Sequence, residues 1–316
     1  MKKLTIVLSI VMMTFASGLM AQNLNTAGKA YNKGIELAGE GKTVEAIESY
    51  NKCADICAEL GEVGEGLKVK AETQITNLYM NIGVEKLKAK NYDTAIILLD
   101  QTKVYADKVG DEATLNKLNS YFAAAYTGKG MELYKKTKYK KSVEEYNKAL
   151  EYNSDYPSAH YYLVLSYVKL DDSGMLEESV KNVMLYSTNE EQKTKANLAA
   201  STYFLKAGHD AVKEEQYNIA SAMAEKSIQY KPDNAAAFYI MAIAYNEQGN
   251  FANATKAALK SVSYEGEDKS SYYFELGRAY EGSGENEKAC EAYAQVTKGP
   301  NKEAAQYQRV NVLRCY

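Results

Sequence analysis

Apolar residues between Phe238 and Val262 recur at three- and four-residue steps: first Phe238, Met241, Ala242 and Tyr245, then Phe251, Ala254, Ala258, Ser261 and Val262. Each set falls on one face of a helix. Gln248-Gly249-Asn250 breaks the pattern between them, so the segment predicts two short amphipathic helices meeting across a tight turn. Ala242 and Ala254 stand where those helices approach closely, and larger side chains there would force the axes apart. One such hairpin cannot bury both of its faces and needs neighbours.

The neighbours are present. Gly208, Ala242 and Gly277 are each followed twelve positions later by Ala220, Ala254 and Ala289, in steps of 34 and 35 residues. A period of this length predicts a stack of helical hairpins whose core lies between successive units.

The spacing resembles the tetratricopeptide repeat. Its order of large, Leu-Gly, Tyr, aromatic, Ala, aromatic, Ala and a closing Pro is matched from Ser201 by Phe204, Ala207-Gly208, Tyr217, Ala220, Ser227 and Pro232. From Ser270 it is matched by Tyr273, Leu276-Gly277, Tyr280, Ala289 and Tyr293. Tyr126, Gly130, Leu133, Tyr139, Ser142, Tyr146, Ala149 and Leu150 form an earlier unit; Tyr79, Ile82-Gly83, Tyr92, Ala95 and Leu99 another; Gly34, Leu37, Ala46 and Tyr50 a first. His160, Leu163, Tyr167, Ser179 and Val183 form a degenerate unit whose turn, KLDDSGMLEE, is expected to carry about three extra residues. The resemblance implies an all-α, right-handed α-solenoid of about seven hairpins with a C-terminal capping helix.

The steps from Gly34 to Gly83 and from Gly83 to Gly130 exceed 34 residues, and the charged, proline-free fillers predict lengthened helices. The expected organisation is a leader over 1–21, units with lengthened helices over 22–122, regular units over 123–300 and a cap over 301–316. Pro157, Pro232 and Pro300 all fall at unit junctions. The cap is expected to bury Ala304, Tyr307, Val310 and Leu313. The leader follows from Lys2 and Lys3, the apolar run Leu4–Phe15 and small residues up to Ala21, a pattern of secretory cleavage before Gln22. No Cys follows to accept a lipid, so the mature chain is expected to be periplasmic or secreted, without membrane insertion.

Formal charge is −3, and −5 without Lys2 and Lys3, so no global basic field exists to hold nucleic acid. Locally, Lys135, Lys136, Lys138, Lys140 and Lys141 crowd one turn. They are either solvated there or contact an acidic partner or anionic polymer. Cys290 and Cys315 start and end helices expected to run antiparallel, which makes a disulfide geometrically feasible, whereas Cys53 and Cys57, one turn apart on a helix, suit buried free thiols. The two histidines, His160 and His209, belong to no metal or catalytic motif, and His160 occupies an aromatic packing position. Acidic pairs such as Glu144-Glu145 are expected at solvated helix starts. No enzyme activity, metal or cofactor is expected.

In the resembled family, ligands are held by first-helix positions of each unit. Here those positions carry Tyr31 with Ile35, Met80 with Val84, Thr127 with Met131, Tyr161 and Tyr162 with Leu165, Leu205 with His209, Tyr239 with Ile243, and Phe274 with Arg278. Lys206, Asn246 and Glu275 edge them. No Lys–Asn clamp for a terminal carboxylate is present, so the resemblance implies an apolar-aromatic inner face suited to a segment of another protein. Two readings follow: an exported adaptor acting through this face, or a structural component that self-associates or braces an assembly through outer faces and the lysine-rich turn, with the rings packed between units.

Overall fold

The computed structural model describes residues 2–264 and 269–315 and divides into two compact units, Met1–Ala159 and His160–Tyr316. The first holds three hairpins: α1 (Lys2–Gly39) with α2 (Thr43–Glu59), α3 (Glu62–Lys88) with α4 (Tyr92–Val109), and α5 (Glu112–Lys135) with α6 (Tyr139–Tyr152). The second holds four. They are α7 (Pro157–Leu170, its first turn preceding the division) with α8 (Ser173–Tyr186), α9 (Glu190–Lys213) with α10 (Tyr217–Tyr230), α11 (Ala235–Glu247) with α12 (Phe251–Ser263), and α13 (Ser270–Gly282) with α14 (Asn286–Ala294). A short α15 (Lys302–Tyr307) and a π-helical turn, Gln308–Val312, follow. Among the described residues there is no strand, so each unit is an all-α stack of hairpins. α1 continues without a break through Ala21 and Gln22, and the expected limit between residues 122 and 123 lies inside α5.

All seven hairpins turn by the same device. The N–H of the third residue past the helix, or the second after α7, reaches back five residues: Lys42 to Leu37 O, Asn91 to Lys86, Lys138 to Leu133, Asp172 to Tyr167, Gln216 to Ala211, Asn250 to Tyr245 and Glu285 to Tyr280. This closes the helix C-terminus and demands a left-handed residue just before it. Glycine supplies that conformation at Gly41, Gly249 and Gly284, but Lys90, Thr137, Asp171 and Glu215 adopt it at φ of 61°, 57°, 58° and 58°.

Past the turn, the paired helices meet at two fixed spacings. The residue twelve positions after the first helix's small residue is Ala46, Ala95, Ser142, Leu176, Ala220, Ala254 or Ala289, and each is 0% exposed. The residue sixteen positions after it packs directly onto it. A Cβ at Gly34 would lie 2.7 Å from the Tyr50 ring, and one at Gly277 2.5 Å from Tyr293; Gly130 faces Tyr146 in the same way. Where the second residue is smaller, the first relaxes: Gly83 faces Leu99, Gly208 lies beside Ala224, and Ala242 and Ala258 are buried together in one core cluster.

A stacked ring pair closes the far end of five hairpins: Tyr79–Tyr105, Tyr126–Tyr152, His160–Tyr186, Phe204–Tyr230 and Phe238–Tyr264, with centroids 5.2–5.9 Å apart. His160 is therefore a buried ring substitute, as its position predicts. Beside the Phe204–Tyr230 pair, the Ser201 and Ser227 hydroxyls lie 2.9 Å apart and Asn234 Nδ2 donates to both, tying α9, α10 and α11 together without leaving buried polar atoms unpaired.

The structure corrects four sequence expectations. The α7–α8 turn holds no extra residues: Val164, Leu176 and Val180 keep the spacings of twelve and sixteen and are buried, so the unit is regular but built from Val where the others have Gly or Ala. Lengthening is not confined to α3 and α5, of 27 and 24 residues, because α9 also has 24. Glu145 is buried, not solvated, and lies 3.1 Å from Lys148 Nζ. In the cap, Ala305 is buried and Leu313 packs against its core cluster, while Ala304, Tyr307 and Val310 face outward: α15 already turns Ala305, not Ala304, to the core before the change to π geometry at Gln308.

Cys290 of α14 is joined to Cys315 by a disulfide with Cα atoms 5.8 Å apart, which holds the cap to the last hairpin. Cys53 and Cys57 are buried free thiols; burial and the neighbouring thiol push Cys53 up to about 12, which makes it a poor nucleophile.

Three outcomes follow. Ala242→Leu and Ala254→Leu overfill closed contacts, and each is expected to lower stability by roughly 1–3 kcal/mol in thermal melts followed by circular dichroism. Thr137→Gly relieves a strained turn and is expected to stabilise by up to about 1 kcal/mol, whereas Gly249→Thr costs roughly 1–2 kcal/mol at the equivalent position. Thiol titration in denaturant is expected to count two reactive groups before reduction and four after it; four without reductant would remove the Cys290–Cys315 bond.

Candidate functional site

The residues expected to line the ligand-binding face fall on first helices of both units: Tyr31 and Ile35 on α1, Met80 and Val84 on α3 and Thr127 and Met131 on α5, with Thr127 buried, and the rest on the first helices of the second unit. On α7, Tyr161, Tyr162 and Leu165 are half-buried, and the two rings meet edge to face at 5.4 Å. On α9, Leu205 is half-buried; Lys206 and His209 are exposed, with His209 Nδ1 3.7 Å from Asp210 Oδ1. On α11, Tyr239 and Ile243 are half-buried. The Tyr239 ring lies 5.2 Å from Tyr272, and its phenol is pushed up by burial and by the Glu275 charge. On α13, Phe274 is half-buried with its centroid 5.7 Å from that of Tyr293. The helices α9, α11 and α13 pack in succession, so these side chains form a row with one or two apolar groups per unit.

The expected polar edge is organised differently. Asn246 and Glu275 are buried and bind one another: Asn246 Nδ2 donates to the Glu275 main-chain O at 3.0 Å and to its Oε2 at 2.8 Å. Arg278 donates to Glu275 Oε2 at 3.0 Å and to Glu247 Oε1 at 2.7 Å. Burial pushes the Glu275 carboxyl up and the Arg278 charge opposes that shift. Asn246 and Arg278 are thus clasps between α11 and α13, not free groove donors. The sequence signal for this was the placement of Asn246-Glu247 one repeat before Arg278. Asn246 Oδ1 remains buried without a partner.

Beside the clasp, Phe274, Arg278, Glu281, Gly282, Tyr293 and Gln308 line a shallow cavity of about 320 Å³. Glu281 accepts from Tyr293 Oη at 2.7 Å, which pushes that phenol up together with its burial. Among the described residues no three His, Cys, Asp or Glu side chains cluster to hold a metal.

In the first unit, Lys135, Lys136, Lys138, Lys140 and Lys141 are exposed. None has a carboxylate within 4.0 Å, although many lysines elsewhere are paired, such as Lys129 with Asp93 at 2.9 Å. No described helix is long and apolar enough to cross a membrane.

Comparison with known proteins reaches the fold. No curated protein matches the sequence. Among solved structures, the chain is similar to MamA from Desulfovibrio magneticus, with 17% identity over 55% of this chain and 92% of that one, at a TM-score of 0.35. It is similar to YrrB, described as a TPR protein with an unusual peptide-binding site, with 17% identity over 59% and 91%, at 0.36. A tetratricopeptide repeat protein from Parabacteroides merdae matches with 17% identity over 89% and 96%, at 0.28. Similarities of that size carry no argument about ligands. The repeat itself is matched at sequence level over residues 130–171, 205–268 and 270–298. Those segments fall on hairpins with the spacings of twelve and sixteen described above, and over them the chain carries tetratricopeptide repeats.

Proposed function

We propose that the chain is an exported, non-catalytic adaptor that holds a segment of a partner protein against the first-helix face of its second unit. Its repeats belong to a protein-interaction scaffold. The observation that carries the finer reading is the row of incompletely buried apolar side chains at equivalent positions: Tyr161, Leu165, Leu205, Tyr239, Ile243 and Phe274. Rings braced on one side by Tyr162, Tyr272 or Tyr293 have little rotamer freedom left to lose, so covering their open sides is favourable. The Glu275–Arg278 clasp removes the nearest charges from competition for water and leaves His209 and Lys206 as polar contacts. Export rests on the Lys2-Lys3 start, the apolar run after it and the small residues before Gln22.

The second reading places the contact on the lysine-rich turn, and its exposed, unpaired lysines favour it.

Affinity capture from envelope extract with mass-spectrometric identification separates the two. Tyr161→Ala, Tyr239→Ala and Phe274→Ala together are expected to keep the helical circular dichroism and lose the captured partner; unfolding of the triple variant would assign the rings to packing. His209→Glu, at an exposed site, tests the same face without a cavity and is expected to weaken capture. Retention by both variants with loss in Lys135→Glu, Lys138→Glu and Lys141→Glu would move the contact to the turn, where salt also weakens it steeply. N-terminal sequencing of the exported protein is expected to begin at Gln22, and recovery of Met1 would remove the export assignment.

A further inference from the structure

The seven hairpin turns share one backbone conformation, so within each unit they display their side chains at equivalent places along one edge of the stack. Their charges differ by unit. The turn residues of the first unit are Glu40, Gly41 and Lys42; Ala89, Lys90 and Asn91; and Lys136, Thr137 and Lys138. Lys135, Lys140 and Lys141 extend the last. The turn residues of the second unit are Asp171 and Asp172; Glu214, Glu215 and Gln216; Gln248, Gly249 and Asn250; and Ser283, Gly284 and Glu285. No lysine or arginine lies in those four turns, although Lys213 stands just before Glu214 and Lys288 pairs with Glu285.

Two further facts bear on this. Lys90 and the five clustered lysines make no ion pair in the folded chain, and Glu214 and Glu215 make none either. The basic edge is also built without arginine, so it is a row of solvated point charges rather than a site for bidentate recognition of one phosphate or carboxylate group. Such a row fits opposing carboxylates, which the second unit carries in its first two turns at Asp171, Asp172, Glu214 and Glu215.

We propose that copies of this chain associate through these edges, the lysine-bearing turns of the first unit of one copy facing the acidic turns of the second unit of another. The contact is heterologous, because the two patches are different surfaces, so it either closes a ring or propagates. It is governed by charges at the surface and is therefore strong only where the Debye length spans the gap, about 10 Å at 0.1 M ionic strength and 3 Å at 1 M. It uses neither the first-helix face nor the Glu275–Arg278 clasp, so it stands or falls separately from partner capture.

Sedimentation velocity of the mature full chain over a concentration series tests it. At about 0.05 M salt the weight-average mass is expected to rise at least about twofold with concentration and to return to the monomer value at about 1 M salt. The variant Lys90→Glu, Lys136→Glu, Lys138→Glu has two acidic edges and is expected to stay monomeric; Glu214→Lys, Glu215→Lys, Glu285→Lys has two basic edges and is expected to do the same. Mixing the two variants is expected to restore association, since each then supplies the edge the other lacks. All six positions are exposed, and unchanged circular dichroism checks the folds. A wild-type chain that is monomeric at low salt, association that survives 1 M salt, or a mixture that stays monomeric would each overturn the proposal. Monomeric wild type that binds a polyanion such as polyphosphate, with binding lost only in the lysine variant, would assign the edge to an anionic polymer instead.

Discussion

The closest approach of each helix pair is governed by the combined volume of two side chains sixteen residues apart. Gly with Tyr at 34/50, 130/146 and 277/293, Gly with Leu at 83/99, Gly with Ala at 208/224, and Ala with Ala at 242/258 are different ways of meeting that requirement. Glycine in a helix interior costs about 1 kcal/mol relative to alanine, so its recurrence opposite tyrosine shows that the ring's burial outweighs local propensity. The turn, the 0%-exposed residue at spacing twelve and the stacked ring pair at the open end all depend on this approach, because each needs the axes held at a fixed separation.

Because the volume rule is local to one hairpin, much of the fold was legible in the sequence. Gly208, Ala242 and Gly277 with their partners twelve residues on marked the hairpins; the turns fell where Gly249 and its equivalents predicted, and the fillers before Gly83 and Gly130 became longer helices. The reading failed where the rule was met without small residues. Val164 with Val180 satisfies the same volume with two medium side chains, and with no glycine or alanine to mark the unit it reads through Leu163 and Ser179, one and three residues out of register, which makes the turn look longer than it is. The cap failed for another reason: the apolar stripe Ala304, Tyr307, Val310 competes with the neighbouring Ala305, and it is Ala305 that α15 buries.

The candidate face was less legible, because spacing places a residue on a helix but does not say what covers it. Tyr161, Tyr239 and Phe274 stand where the repeat puts them, yet each is already braced by a neighbouring ring. Asn246 and Arg278 look like free polar contacts along the chain and are engaged by Glu275 and Glu247 in space. That pairing spans α11 and α13, which lie on successive hairpins, and only the three-dimensional stack brings it together.

The clasp also explains why a buried carboxylate is tolerated beside an open face. Desolvation alone would push Glu275 toward its neutral form, which would leave Arg278 with one charged partner instead of two. Arg278 and Asn246 instead hold the carboxylate with directed donors, and Arg278 spends its remaining donors on Glu247 of the preceding hairpin. The polar network thus fixes α11 against α13 through groups that also border the apolar row, since Glu275 and Arg278 act on the Tyr239 phenol and Arg278 shares a shallow cavity with Phe274.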